Sequence, residues 1–170
     1  IDAGTTVYVA GAWVSFPATS TVATDFEGDP RGAAPDIGAD ESLSAMLTGS
    51  GSGKVGTTVN LALDAGIGDA TLSYQLASSF GNGPIPIDTR FINLTYDGLL
   101  VISITGSLPA VFQKYAGFLD ASGKATAAIA LPNIPAAAGL RIYTAFATVK
   151  VGEPSNIKTI SNTFLFTILP

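Results

Sequence analysis

The groups with most chemistry to offer crowd into one stretch, Asp25-Phe-Glu-Gly-Asp-Pro-Arg31 followed by Asp36-Ile-Gly-Ala-Asp-Glu41. Six carboxylates and one guanidinium fall within seventeen residues, with three glycines and two prolines to turn the chain. Hard oxygen ligands at alternating positions in a glycine-containing loop suit Ca²⁺, which takes about six to eight oxygens. Asp25, Glu27, Asp29, Asp36 and Asp40 are therefore candidate ligands for a calcium cofactor. The spacing matches an EF-hand only in part and lacks its terminal bidentate Glu. The alternative is structural: Arg31 pairs with one or two carboxylates while Asp29 and Asp36 bond turn amides.

Other chemistries are narrowed by what the chain lacks. It has neither Cys nor His, hence no disulfide, no thiolate, no imidazole base and no zinc site of the usual N/S kind. A serine nucleophile would then need a lysine. Ser52 and Lys54 lie close in sequence, but in a Gly/Ser stretch that reads as mobile, and the match looks accidental. Gly49-Ser-Gly-Ser-Gly-Lys54 fails the phosphate-loop pattern and has no βαβ unit around it. Asn93-Leu-Thr95 is a lone glycosylation sequon that would matter only on an exposed loop.

The elements that must position these groups are short strands. Residues 1–41 read as irregular and extended, with β-prone runs at Thr5-Thr-Val-Tyr-Val9 and Ala12-Trp-Val-Ser-Phe16. Residues 42–56 carry Gly-Ser-Gly-Ser-Gly and predict a flexible linker. Beyond them, strands are expected at 57–63, 71–80, 99–105, 115–119, 124–131, 140–149 and 157–168. Ile142, Thr144, Phe146 and Thr148 share one face of the 140–149 segment, and Tyr143, Ala145, Ala147 and Val149 the other. Two apolar faces predict a central strand, or one face given to another chain. Asp120-Ala-Ser-Gly123 predicts a hairpin turn, and Pro84, Pro86, Pro109, Pro132, Pro135 and Pro154 are expected between strands. The fold class expected is all-β: an antiparallel Ig-like β-sandwich over 57–170, preceded by a β-helix-like extended segment over 1–41.

Ile1-Asp-Ala-Gly4, Asp25-x-x-Gly28-x-x-Arg31 and Asp36-Ile-Gly-Ala-x-Glu41 together resemble the C-terminal end of right-handed parallel β-helix surface proteins of bacteria. Residues 56–163 are more loosely similar to an Ig-like module recurring at the C-termini of large secreted or surface proteins of environmental bacteria. The similarity rests on Gly56-Thr-Thr-Val-Asn-Leu-Ala-Leu63, Tyr74-Gln-Leu-Ala-Ser-Ser-Phe-Gly-Asn-Gly-Pro84, Gly117-Phe-Leu-Asp-Ala-Ser-Gly-Lys124 and Thr159-Ile-Ser-Asn-Thr163. These resemblances imply an extracellular or cell-surface location and structural use, with no chemistry attached. β-Helices also host polysaccharide-active enzymes, and paired carboxylates can cleave glycosides. Here the pairs would sit on a closing loop with no long groove, and the nearby Tyr8 and Trp13 have the two-residue spacing of a strand core.

Charge and hydropathy set the expected partners. The chain is 47% hydrophobic and only 12% charged, yet holds no apolar run near the ~18 residues that span a bilayer. No basic patch exists to neutralise phosphates, which excludes nucleic acid. Residues 1–41 carry a net charge of −6 and residues 42–170 a net charge of +1, a polarity that favours head-to-tail contact between copies. A chain beginning at Ile1 is expected to be a processed product or a fragment. One solenoid coil cannot bury its own apolar face, so the segment over 1–41 is expected to meet an upstream β-helix, the sandwich of the same chain or another copy of this chain. The segment containing Phe164, Phe166 and Ile168 is the expected last strand, or a strand lent to a neighbour. The function expected is a non-enzymatic subunit of a self-assembling fibre or surface layer. The alternative is a C-terminal module that binds glycans or anchors a large β-helix adhesin or polysaccharide-active protein.

Overall fold

The computed structural model describes residues 6–9, 12–15 and 45–170, the first two pieces as backbone only. Two units separate between Ser42 and Leu43. In the first, β1 (Thr6–Val9) and β2 (Ala12–Ser15) form an antiparallel pair with Tyr8 opposite Trp13.

The second unit is all-β apart from one α-helix and three 3₁₀ turns, and its strand pairings are antiparallel. In chain order it runs β3 (Met46–Ser50), β4 (Thr58–Asp64), β5 (Ser73–Ser79), β6 (Pro84–Ile87), β7 (Arg90–Asn93) and α1 (Gly98–Thr105). It continues with β8 (Phe112–Gln113), β9 (Ala116–Phe118), β10 (Lys124–Ala130), β11 (Arg141–Val149), β12 (Ile157–Ile160) and β13 (Phe164–Thr167). One sheet has the order β3-β4-β10-β8. The other is β12-β11-β5-β9, with β13 following β12 along the same edge of β11.

The two sheets face each other across one core because their strands alternate. In β4, Val59, Leu61 and Leu63 are buried while Thr58, Asn60 and Ala62 are exposed. Leu47, Leu61, Leu63, Ala127 and Ile129 from the first sheet meet Tyr74, Leu76, Ile142 and Phe146 from the second. Each fully buried Leu or Phe contributes roughly 1.5–3 kcal/mol. The two-faced pattern of β11 places it centrally, as expected, between β5 and the β12/β13 edge. Its outward Ala145, with Ala77, Ile92, Leu94 and Leu100, forms a second, smaller core. The β6–β7 hairpin and α1 supply the cover for that outer face.

Five expectations are corrected. Residues 99–105 form α1, not a strand. Asp97 caps its N-terminus, its carboxylate accepting from the Leu100 N–H at 2.9 Å, and Gly106 ends it at φ 67°. Leu99 and Ile102 pack on the main core while Leu100 joins the smaller one. A run apolar on every face satisfies both periods, and the packing decides between them.

Residues 46–50, inside the expected linker, are β3, paired residue by residue with β4. Gly49 is required by close packing: a Cβ there would strike the Phe164 ring. Gly51 and Gly53 adopt φ 128° and 69°, which L side chains resist. Pro84 and Pro86 lie inside β6, not between strands. They are tolerated because β6 pairs only with β7, leaving one side free of ladder bonds.

Finally, Asp120–Gly123 is a turn, with Asp120 Oδ1 accepting from the Ser122 and Lys124 N–H groups, but it carries the chain from one sheet to the other. It is an arch, not a hairpin. The expected strand at 157–168 is also interrupted, at Ser161–Thr163, where Asn162 turns to bond Leu47 of β3.

Candidate functional site

The candidate calcium ligands Asp25, Glu27, Asp29, Asp36 and Asp40, with Glu41 and Arg31, lie outside the described residues. Among the described residues no three carboxylate, His or Cys groups converge as a metal centre would require. Of the serine–lysine pair, Ser52 Oγ contacts Thr57 Oγ1 at 3.1 Å within a turn closed by the Thr57 hydroxyl on the Lys54 carbonyl. The sequon's Asn93 is exposed at the end of β7, and its carbonyl accepts from Thr163 Oγ1.

The ionisable groups that do converge come from distant parts of the sequence. Asp69, 3% exposed, sits in the 3₁₀ turn after β4. Lys158 of β12 reaches its Oδ1 at 2.7 Å, and Thr148 of β11 donates to its Oδ2 at 2.6 Å. Burial pushes the Asp69 carboxyl up, but hydrogen bonds from Lys158, Thr148 and Thr159 outweigh it and hold the pKa below its ordinary value. The Lys158 ammonium also donates to the Gly68 carbonyl at 2.6 Å. An ionised carboxylate with every partner a donor binds three segments together.

Arg90 does similar work for the β6–β7 hairpin. Its guanidinium donates to Asp88 within the hairpin and to the carbonyls of Ile157 and Lys158 at 2.7 Å each, tying the hairpin to β12. Arg90 in turn holds the Asp88 carboxyl down, to about 2.

Two neutral side chains take the place of missing strand neighbours. Where β9 stops, Ser103 of α1 comes alongside β5: its Oγ accepts from the Ser78 N–H at 2.9 Å, and its one proton is shared between the Leu100 carbonyl at 2.9 Å and the Ser78 carbonyl at 3.3 Å. Where β12 breaks from β13, Asn162 turns toward β3. Its Oδ1 accepts from the Leu47 N–H at 2.6 Å, and its Nδ2 donates to the Leu47 carbonyl at 3.1 Å. Asn162 N–H also donates to the Ala45 carbonyl, so the break between β12 and β13 links the two sheets at their margin. Between the sheets, Ser78 Oγ meets Tyr115 Oη at 2.8 Å and Thr144 Oγ1 at 2.7 Å. Burial raises the Tyr115 pKa, so this cluster stays neutral.

A broad concavity lies on the outer face of the first sheet, an open depression of about 470 Å³. Thr48, Ser50, Asn60, Gln113, Lys114 and Thr126 rim it, over Ala62 and Ala128. Register explains it: Thr48–Ala62–Thr126 and Ser50–Asn60–Ala128 lie in cross-strand rows, so the small side chains stack in the middle. Such a surface offers hydroxyls and amides to a polar partner and brings no two carboxylates together. The sequence marks these positions only as polar members of alternating strands. No helix among the described residues is long and apolar enough to cross a membrane. No protein-family model and no curated protein matches the chain.

Proposed function

We propose that this chain is a non-enzymatic extracellular or cell-surface structural protein, a subunit that assembles with other copies of itself through its β-structure. The observation that carries this reading is the margin of the second sheet. There β9 ends the strand order, and its Phe118 is 76% exposed. Val149, Ser73 and Phe118 form one cross-strand row on the outer face, with Val149 also exposed. An aromatic and a β-branched residue open to water beside an edge with no further strand among the described residues suit strand addition by a second chain. The use made of the charged groups supports the same reading: Asp69, Arg90, Asp97 and Lys158 each join elements within the unit.

Electron microscopy of the purified chain tests this. Fibres or layers, lost in Phe118→Lys while the fold persists by circular dichroism, are the expected result. Discrete particles from the unmodified chain at every concentration would refute it.

A second reading is a C-terminal binding or anchoring module, Ig-like in kind, of a larger β-helix adhesin or polysaccharide-active protein. The core specific to residues 43–170 favours it, as does the hydroxyl- and amide-rimmed depression, which suits glycans. Titration with neutral and acidic oligosaccharides, read by perturbation of Asn60 and Thr126 resonances, separates the two.

A further inference from the structure

Asn82-Gly83 lies in the loop between β5 and β6, with Asn82 exposed. An asparagine followed by glycine is chemically the most labile arrangement of that side chain, because no Cβ hinders the next backbone nitrogen. In the reaction, the Gly83 nitrogen loses its proton to a water-borne base and attacks Asn82 Cγ. The new C–N bond closes a succinimide as the side-chain NH₂ takes a proton from water and leaves as ammonia. Water then opens the ring to aspartate or isoaspartate. Nothing beyond water and hydroxide is consumed.

The nitrogen that must attack is held. Gly83 N–H donates to Thr95 Oγ1 at 3.0 Å. Thr95 is itself fixed, its N–H shared between the Gly81 carbonyl at 3.1 Å and Ser79 Oγ at 3.2 Å. Ser79 Oγ donates to the same Gly81 carbonyl, and Asp97 accepts from the Phe80 N–H. The loop is wrapped tightly on Thr95, since a Cβ at Gly81 would collide with that side chain. Cyclisation requires Gly83 N to give up its proton and swing toward Asn82 Cγ, and both movements break the bond to Thr95.

We propose that Asn82 is the chain's intrinsic self-modification site and that Thr95 is its guard, restraining succinimide formation by holding the Gly83 amide. Conversion would place a new carboxylate just before Pro84 opens β6, and in the isoaspartate product an extra backbone atom as well. A protein built to last outside a cell gains from such a restraint.

The test uses the whole chain aged in warm, mildly alkaline buffer. Peptide mass mapping and isoaspartate detection follow conversion at Asn82, and the urea-unfolded chain gives the unrestrained rate. The folded chain is expected to convert more slowly than the unfolded one. Thr95→Ala, folded by circular dichroism, is expected to convert about fivefold faster than wild type, the size of one lost hydrogen bond. Thr95→Ser, which keeps an oxygen acceptor, stays near wild type. Hydrogen exchange gives a reading that needs no variant: the Gly83 amide is expected to be protected. Equal rates in folded and unfolded chains, an unprotected Gly83 amide, or an unchanged rate in folded Thr95→Ala would each overturn the proposal.

Discussion

Gly49 and Asp69 show how single residues carry this structure. Gly49 sits in a Gly/Ser run, yet the Phe164 ring occupies the space its side chain would need. Gly49→Val should therefore cost about 1–3 kcal/mol in urea denaturation, as overpacking does. A glycine in a flexible linker would tolerate the change within about 0.5 kcal/mol. Asp69→Asn leaves Lys158 without its buried partner, and a loss of about 2–3 kcal/mol is expected near neutral pH, Lys158 being partly open to water. Because the folded Asp69 pKa lies below the ordinary 3.8, its contribution is complete above that value and fades as pH falls through the folded pKa. The gap in melting temperature between wild type and Asp69→Asn should thus be constant from neutral pH to about 5 and close in stronger acid. A gap that persists at the acid end would place the stabilisation elsewhere than in the ionised carboxylate.

At the scale of elements, edges and ends are managed by side chains. Asp97 caps α1 and also accepts from the Phe80 N–H at 2.8 Å, so it ties the helix to the end of β5. Asp97→Ala should cost about 1–2 kcal/mol, with faster hydrogen exchange in the first turn of α1. Asn162→Ala removes both bonds to Leu47 and should free β3 selectively, with faster exchange at Leu47 while β4 amides keep their protection. How far the sequence foretells these elements depends on how local their causes are. The alternation of β4 and β11 is written in adjacent residues, and both strands lie where the pattern puts them. The helix at 98–105 is not legible, because Leu, Val and Ile on every face fit either period until the two cores take opposite sides. β3 is hidden by a glycine, Gly49, whose reason lies in a ring 115 residues on, and β6 by prolines that only a one-sided pairing tolerates. The groupings of side chains are less legible still. Asp69 meets Thr148 across 79 positions and Lys158 touches Gly68 across 90, contacts that no local spacing encodes. The carboxylates that sequence does cluster, from Asp25 to Glu41, belong to residues outside those described.

For the whole molecule, the surface left over by the antiparallel two-sheet unit is what links it to the proposed assembly role. The unit closes its own core, yet Phe118, Tyr96 and Val151 remain 76%, 78% and 90% exposed on a chain only 12% charged. Apolar side chains that far into water suit cover by a partner, and the opposite net charges of residues 1–41 and 42–170 would orient like copies. In the proposed assembly apolar contact dominates, so raised salt should leave association intact, whereas Phe118→Lys should abolish it. The most direct measurement is multi-angle light scattering of the unmodified chain across a concentration series. The account predicts masses that climb well beyond the 17.2 kDa of one chain as concentration rises. A mass fixed at 17.2 kDa throughout would contradict it.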